Sequence, residues 1–178
     1  MFNKIIGVVA CILLAAILYR AETRMDHIEQ RLNKIDDIIQ TTETVKWTPQ
    51  DRDCLTKNIY YEAGVENVEG KYAVAHVTLN RVKTGQWGNN VCKVVYAKKQ
   101  FSWTLQKKLP KPNAKLWAES QTVATNVLNG ARVRGLDKSL FYHAVYIKDP
   151  KWVDPKQEAG QIGNHVFYNR AKGSGVMI

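Results

Sequence analysis

The chain has 178 residues, 45% hydrophobic and 24% charged, a composition that excludes a disordered chain and is typical of a globular protein. The length is enough for one hydrophobic core and short for two. The net charge is +10, and because residues 1–46 carry six basic and six acidic side chains, the whole excess lies in residues 47–178. A basic domain favours an anionic partner such as nucleic acid, anionic lipid or an acidic cell-wall polymer.

Residues 5–19, IIGVVACILLAAILY, form an uncharged apolar run between Lys4 and Arg20. As a helix, the run would cover roughly 22 Å of a hydrocarbon layer about 30 Å thick, so a membrane span is marginal. A cleaved signal peptide is the competing interpretation, but no A-x-A cleavage site follows the run. We therefore expect residues 1–20 to be a retained signal anchor that crosses the membrane once.

Residues 21–46 are predicted to form an amphipathic helical stalk. Its hydrophobic residues alternate at spacings of three and four, with charged residues between them: Met25, Ile28, Leu32, Ile35 and Ile39. A seam of about two heptads predicts a weak homodimer, or an amphipathic helix that packs on the domain or lies on the membrane surface. The threonine-rich segment 41–44 marks the break before the domain.

Residues 47–64, WTPQDRDCLTKNIYYEAG, are predicted to form a helix. Thr48 is the expected N-cap, with Pro49 and Asp51 in the first turn and Gly64 as the C′ residue.

Glu62 shares one face of this helix with Leu55 and Ile59, at spacings of seven and three. A carboxylate in an apolar stripe is costly to bury when ionised, so its pKa should rise. A general acid needs that protonated state near neutral pH. The alternative is that Glu62 lies at the rim of the stripe and is solvated.

The rest of the chain predicts helices and then a pair of strands. The helices are expected at 68–83 (ended by Gly85), at 91–99 and at 113–129 (capped by Asn113). The strands are expected at 139–147 and 161–168, where aromatic and β-branched residues prevail. This order indicates an α+β domain over residues 47–170, followed by a disordered tail, 171–178.

The histidine and cysteine residues show no metal-ligand spacing, so no metal is expected. The sequence also lacks a local signature of a serine or cysteine nucleophile and a glycine-rich phosphate loop, so no cofactor is expected. Cys54 and Cys92 form a disulfide if the domain lies outside the cytoplasm, or else they are two small buried hydrophobic residues.

Four separated segments resemble one known family. They are IYYEAGVENVEGKYAVAHVTLNRV (59–82), QFSWT (100–104), FYHAVY (141–146) and IGNHVFY (162–168). In this order they are similar to the cell wall hydrolases related to the spore-cortex lytic enzyme SleB. The resemblance implies a lysozyme-related α+β domain, mostly helical with a small antiparallel β element. It also implies cleavage of peptidoglycan by a lytic transglycosylase or muramidase, with the glutamate that matches Glu62 as catalytic acid.

The resembling segments also contain side chains suited to binding a glycan strand. The candidate substrate-binding residues are Tyr61, Gln100, Ser102, Trp103, Tyr142 and His143. Amide and hydroxyl groups would hydrogen-bond the sugars and the indole would stack on them, whereas Phe101 is assigned to the core. Tyr142 and His143 alternate on a strand, so one of the two points away from the core, and a structural role for His143 is the alternative.

Hydrolysis of a glycosidic bond normally needs two carboxylates. Lytic transglycosylation can use one, because the 6-hydroxyl of the sugar itself attacks after the acid has protonated the glycosidic oxygen. Glu66 and Glu69 are interpreted as loop and helix-start residues, so no second carboxylate is apparent. This favours transglycosylation between N-acetylmuramic acid and N-acetylglucosamine.

The combined expectation is a peptidoglycan-cleaving enzyme held at the cytoplasmic membrane, with its domain on the extracytoplasmic side. Lysine and arginine residues are more numerous after the apolar run than before it, and the positive-inside rule conflicts with this topology. The short anchor also suits an exported phage or prophage endolysin. A muramidase, an amidase and a non-catalytic membrane-tethered wall-binding protein remain alternatives, while the anchor disfavours nucleic acid as a partner.

Overall fold

The computed structural model describes residues 2–41 and 47–173. The chain divides into two compact units, Met1–Lys46 and Trp47–Ile178. The helices of the described part are α1 (Phe2–Thr41), α2 (Pro49–Ala63), α3 (Val68–Thr84), α4 (Val91–Val95) and α5 (Ala114–Leu128). The strands are β1 (Phe141–Ala144), β2 (Glu158–Ile162) and β3 (His165–Tyr168), and 3₁₀ helices lie at Ser102–Leu105 and Pro155–Gln157.

The first unit contains one continuous helix, α1, in which the predicted anchor and the predicted stalk run together. Met25, Ile28 and Leu32 of the predicted seam are exposed. The side chains of the other two seam residues, and residues 42–46 of the predicted break, lie outside the described residues. No contact among the described residues supports the predicted dimer.

Within residues 2–41 and 47–173, no helix is both long enough and apolar enough to cross a membrane. The signal anchor predicted for residues 1–20 and the membrane tether are therefore not supported. From the sequence alone, the uncharged run would as a helix fall roughly 8 Å short of a hydrocarbon layer about 30 Å thick.

Helix α2 begins as predicted. Thr48 Oγ1 accepts a hydrogen bond from the Asp51 N–H at 3.0 Å, and Asp51 Oδ2 accepts one from the Thr48 N–H at 3.0 Å, which completes a capping box. Gly64 follows the last helical residue, as predicted, but its φ of −60° and ψ of −30° are right-handed, so the left-handed conformation that favours glycine at helix ends is not used here. A Cβ at this position would lie 2.3 Å from the Tyr60 carbonyl oxygen, so glycine is needed there for close approach.

The next helices follow the prediction with one exception. Helix α3 ends at Gly85, which has φ +70°, and the Asn113 side chain caps α5 by accepting from the Leu116 N–H. Helix α4 is shorter than predicted because Tyr96 already leaves the helical conformation. The predicted tail, 171–178, lies outside the described residues from position 174 onward.

The sheet has three antiparallel strands in the order β1-β3-β2, so the predicted pair of strands is incomplete. The segment predicted as one strand, 161–168, turns at Gly163 and Asn164 and contributes to both β2 and β3. Gly163 has φ +58°, a left-handed conformation that breaks a strand and that glycine adopts readily. The strand predicted at 139–147 pairs only over residues 141–144.

Helix α3 lies between two parts of the core. Ala75 and Leu79 belong to a cluster with residues of α2 and α5. Ala73 and Val77 belong to a second cluster, which contains Phe167 of β3. Because the two pairs lie on opposite faces of a helix with 3.6 residues per turn, α3 fixes the position of the sheet relative to α2.

Cys54 of α2 and Cys92 of α4 form a disulfide with a Cα–Cα distance of 5.3 Å. This decides between the two alternatives that the sequence left open for these cysteines. The bond closes a loop over a sequence separation of 38 residues, and it ties the start of α4 to the helix that carries Glu62.

Candidate active site

Glu62 lies in the last turn of α2, and its side chain is partly buried. Oε2 accepts a hydrogen bond from the Tyr142 hydroxyl at 3.1 Å. Burial raises the pKa of the Glu62 carboxyl, while the hydrogen bond from Tyr142 and the positive charge of Arg81 act in the opposite direction and are outweighed. The pKa shift therefore has the direction predicted from the apolar stripe.

Tyr142 comes from β1 and packs against two rings of β3. Its ring centroid lies 5.1 Å from that of His165, edge to face, and 5.6 Å from that of Phe167. Burial, followed by the negative charge of Glu62, raises the pKa of the Tyr142 phenol well above its ordinary value. The phenol therefore keeps its proton and donates it to the hydrogen bond with Glu62.

Arg81 of α3 is a buried cation in this site, and it was not predicted from the sequence. Its Nε donates to the Leu140 carbonyl at 2.8 Å, whereas Nη1 has no hydrogen-bond partner among the described residues. The guanidinium lies 5.1 to 5.7 Å from the centroids of three rings, those of Trp87, Phe101 and Phe141. Burial lowers the pKa of Arg81, and the neighbouring acidic groups of Tyr142 and Glu62 offset only part of that shift. The helical spacing of Val77 and Arg81 could have indicated the buried position.

Trp103 does not present a stacking surface, contrary to the prediction. Its side chain is 4% exposed, and its indole Nε1 donates to Asn58 Oδ1 at 3.1 Å. One face of the indole is covered by Tyr61, with ring centroids 4.9 Å apart and an interplanar angle of 27°. Trp103 therefore belongs to the core, because the buried Asn58 satisfies its N–H there. Tyr61 remains partly exposed, and its hydroxyl donates to the Pro110 carbonyl at 3.4 Å.

Gln100 and Ser102 remain candidate sugar-binding residues. Ser102 is exposed, and Gln100 is partly exposed, with Nε2 donating to the Lys98 carbonyl at 3.3 Å. Among the hydrogen bonds of residues 47–173, none joins either side chain to Glu62. Their role stays a prediction.

His143 points to the opposite face of the sheet from Tyr142, as strand alternation requires. It is buried and stacks on Tyr168, and its Nε2 lies 3.2 Å from the Tyr168 hydroxyl. The substrate-binding role predicted for His143 is therefore replaced by a structural one. His165 lies on the face of Tyr142 instead, because Ala144 pairs with His165 and Tyr142 pairs with Phe167.

Glu66 is a second buried carboxylate close in sequence to Glu62, where the sequence suggested only a loop residue. Its side chain is 7% exposed. Oε2 accepts from the Asn164 N–H at 3.0 Å, and Oε1 accepts from Asn164 Nδ2 at 3.1 Å. His165 Nδ1 lies 4.0 Å from Oε1, which is beyond hydrogen-bond range. Both carboxylate oxygens are therefore engaged by the β2–β3 turn.

Within the described ranges, no group of three or more histidine, cysteine, aspartate or glutamate side chains is arranged to hold a metal ion. The groups placed around the Glu62 carboxyl are a phenol and a guanidinium. Their arrangement suits acid–base chemistry by a single carboxyl.

We expect Tyr142→Phe to move the alkaline limb of the pH–activity profile to higher pH. The phenol hydrogen bond lowers the pKa of Glu62, so its loss lets burial raise that pKa further, and the acid keeps its proton longer as the pH rises. The maximal rate should fall by up to about 100-fold, because the carboxyl is less well oriented. A pH series of sacculus clearing measures both effects.

Tyr146→Phe is the matched control for this prediction, because Tyr146 follows β1 and is 79% exposed. An alkaline limb that moves to lower pH in Tyr142→Phe, or that moves equally in both variants, would contradict the assignment.

Residues 65–168 match the family described as Cell Wall Hydrolase, and since this is more than half of the chain, the protein belongs to that family. The chain is also 26% identical over 124 residues to the spore cortex-lytic enzyme of Oceanobacillus iheyensis, which is 68% of this chain and 42% of that protein. It therefore spans less than half the length of this curated relative. The resemblance found in the four sequence segments is confirmed.

Two solved structures share the fold. The catalytic domain of the Bacillus cereus SleB protein is 23% identical, with a TM-score of 0.59 over 70% of this chain and 93% of that chain. The catalytic domain of the germination-specific lytic transglycosylase SleB from Bacillus anthracis is also 23% identical, with a TM-score of 0.57 over 70% of this chain and 98% of that chain. The predicted helical domain with a small antiparallel sheet is thus a SleB catalytic-domain fold. Glu62 precedes the matched residues 65–168, so its role is argued from geometry.

Proposed function

We propose that residues 47–170 form a catalytic domain that cleaves the glycan strands of peptidoglycan, with Glu62 as the catalytic acid. The observation that carries the proposal is the partly buried Glu62 carboxyl, whose pKa is raised by burial and which Tyr142 orients by a hydrogen bond. Membership of the cell wall hydrolase family supports the substrate class. The excess of ten positive charges in residues 47–178 also suits an anionic polymer.

The reaction that fits a single carboxyl is lytic transglycosylation after N-acetylmuramic acid. Protonated Glu62 gives its proton to the glycosidic oxygen, the bond from C1 to that oxygen breaks, and N-acetylglucosamine leaves with a hydroxyl group. The Glu62 carboxylate then removes the proton from the C6 hydroxyl of the muramic acid. The C6 oxygen attacks C1, which leaves a 1,6-anhydro end and restores the acid.

The state of Glu66 supports transglycosylation over hydrolysis. A hydrolase needs a second carboxylate that is free to attack the sugar or to activate a water molecule. Both oxygens of Glu66 accept hydrogen bonds from Asn164, and the side chain is almost fully buried. A carboxylate held in this way is poorly suited to either task.

Tyr142 and Arg81 suit the ionised half of the cycle. After proton transfer, Glu62 carries a negative charge in a partly buried site, where an unpaired charge is costly. The Tyr142 hydroxyl donates to that carboxylate, and the buried positive charge of Arg81 favours its ionised form. We propose that this pair stabilises the intermediate in which Glu62 waits to act as a base.

We further propose that the domain works on the extracytoplasmic side, where peptidoglycan lies. The disulfide between Cys54 and Cys92 supports this location, since disulfides persist in oxidising compartments and are rare in the cytoplasm.

Digestion of purified sacculi, followed by mass spectrometry of the released fragments, tests the reaction. We expect fragments that end in 1,6-anhydro-N-acetylmuramic acid. Reducing N-acetylmuramic acid ends would instead identify a muramidase, and stem peptides freed from intact glycan strands would identify an amidase. Either result would overturn the proposed reaction.

A further inference from the structure

The loop between α2 and α3 is joined to the turn between β2 and β3 by the carboxylate of Glu66. Oε2 binds the Asn164 N–H at 3.0 Å and Oε1 binds Asn164 Nδ2 at 3.1 Å. Glutamate side chains in loops are mostly exposed, and this one is 7% exposed. The proposed acid–base steps do not use this carboxylate, and it belongs to neither hydrophobic cluster.

The turn is shaped to receive this carboxylate. A Cβ at position 163 would lie 2.4 Å from Glu66 Oε2, so glycine leaves the space that the carboxylate fills. On the other side of the turn, the Asn164 carbonyl accepts a hydrogen bond from the Val145 N–H at 2.9 Å. The backbone of Asn164 is therefore held between the α2–α3 loop and the end of β1.

Two aromatic rings connect Asn164 to the catalytic carboxyl by direct contacts. The next residue, His165, is buried, and its ring meets that of Tyr142 edge to face, with 5.1 Å between centroids and an interplanar angle of 88°. The Tyr142 hydroxyl donates to Glu62 Oε2 at 3.1 Å. A shift of the turn would therefore move the His165 ring, which limits where the phenol can lie.

We propose that Glu66 and Asn164 form a positioning pair, which holds the β2–β3 turn so that His165 and Tyr142 keep the Glu62 carboxyl in its reactive orientation. The inference rests on the proposed role of Glu62 as the catalytic acid. Glu66 is a positioning residue and not a catalytic one, since it acts through the turn. Displacements of about 1 Å at a reacting group cost up to about 100-fold in rate, so such a clamp has a measurable effect.

Glu66 could instead act through its charge, because its Oε1 lies 4.0 Å from His165 Nδ1. Two substitutions separate the explanations. Asn164→Asp keeps the charge of Glu66 but places a second carboxylate where an amide now donates at 3.1 Å, so the pair is forced apart. Glu66→Gln removes the charge but keeps the pairing once the Asn164 side-chain amide turns over, since the glutamine oxygen still accepts from the Asn164 N–H and its nitrogen donates to Asn164 Oδ1.

We expect Asn164→Asp to lower kcat on solubilised glycan strands by about 10- to 100-fold, with KM nearly unchanged. Its alkaline limb should move upward as in Tyr142→Phe, because the hydrogen bond to Glu62 is weakened. Glu66→Gln should lose less than about threefold. The double variant Glu66→Gln/Asn164→Asp should recover most of the lost kcat, because the new amide at position 66 donates to the new carboxylate at position 164.

Glu69→Gln in the full chain is the matched control, since Glu69 is an exposed carboxylate of the first turn of α3. Wild-type kcat in Asn164→Asp, or a double variant no better than Asn164→Asp, overturns the inference. If kcat falls in Glu66→Gln but not in Asn164→Asp, the inference is overturned, and the charge of Glu66 is what matters.

If circular dichroism shows that Asn164→Asp is unfolded, Asn164→Ala replaces it. An unchanged kcat and an unchanged alkaline limb in Asn164→Ala would overturn the inference. Activity retained in Glu62→Gln defeats the proposed function itself, so the two failures are distinguishable.

Discussion

Replacing Glu62 by glutamine should lower the rate of sacculus clearing by about 10²- to 10⁴-fold, the range typical of losing a general acid. The amide has nearly the same shape and can still accept the hydrogen bond from Tyr142, but it has no proton to give to the glycosidic oxygen. Binding to sacculi should persist, because the rest of the surface is unchanged. Turbidity loss measures clearing, and co-sedimentation with sacculi measures binding.

The same variant should be more stable than the wild type at neutral pH. Because burial raises the pKa of Glu62, the folded state holds this proton more tightly than the unfolded state, whose ordinary value is 4.5. The stability of the wild-type domain therefore falls as the pH rises from that value through the pKa of Glu62 in the folded state. The glutamine variant does not lose this stability, because an amide does not ionise. We expect Tm at pH 7 to rise by roughly 2–5 °C, with little difference at pH 4.

Glu69→Gln is the control and should leave clearing as in the wild type. Clearing that continues in Glu62→Gln would mean that the catalytic acid has been wrongly assigned. Lost clearing without the stability gain at neutral pH would mean that the carboxyl is not buried in the way described.

Most helices could be predicted because their signals are local. The capping residues act within one turn of the helix ends that they mark, namely Thr48, Asn113 and Gly85. The hydrophobic periodicity indicates the helical segments between these ends. The sheet was harder to predict. Gly163 and Asn164 interrupt a segment of strand-forming residues, and whether they form a turn depends on the contact with Glu66, a residue 98 positions away in sequence from Asn164.

The site could be predicted only in part for the same reason. The face of α2 indicates Glu62, since its neighbours on that face are local. Trp103 can be buried because Asn58, 45 residues away in sequence, accepts a hydrogen bond from its indole N–H. A local sequence pattern cannot predict this contact. Arg81 and Glu66 were missed because charged residues are normally exposed, so a sequence gives little reason to bury them. The position of His143 was open to prediction, since strand alternation separates it from Tyr142.

Helix α2 carries Glu62 and also one end of the disulfide, at Cys54. The bond holds the first half of α2 against the start of α4, while Ile59, farther along α2, packs in the cluster that α2 shares with α3 and α5. The bond and the carboxyl are eight residues apart on the same helix. Loss of the disulfide should therefore affect the stability of the domain far more than the chemistry at Glu62.

The double substitution Cys54→Ala/Cys92→Ala should destabilise the domain by about 3–4 kcal/mol, since a bond over a sequence separation of 38 residues restricts the unfolded chain strongly. We expect Tm to fall by roughly 10–15 °C, while the clearing rate well below Tm changes little. Thermal unfolding with and without reductant measures the effect, and the double variant is its own control because reductant should no longer change its Tm.

Reductant should lower the wild-type Tm to that of the variant, because in both cases the unfolded chain regains the same conformational freedom. A wild-type Tm that does not respond to reductant under unfolding conditions would show that the two cysteines are not bonded, and it would remove the argument for an oxidising compartment.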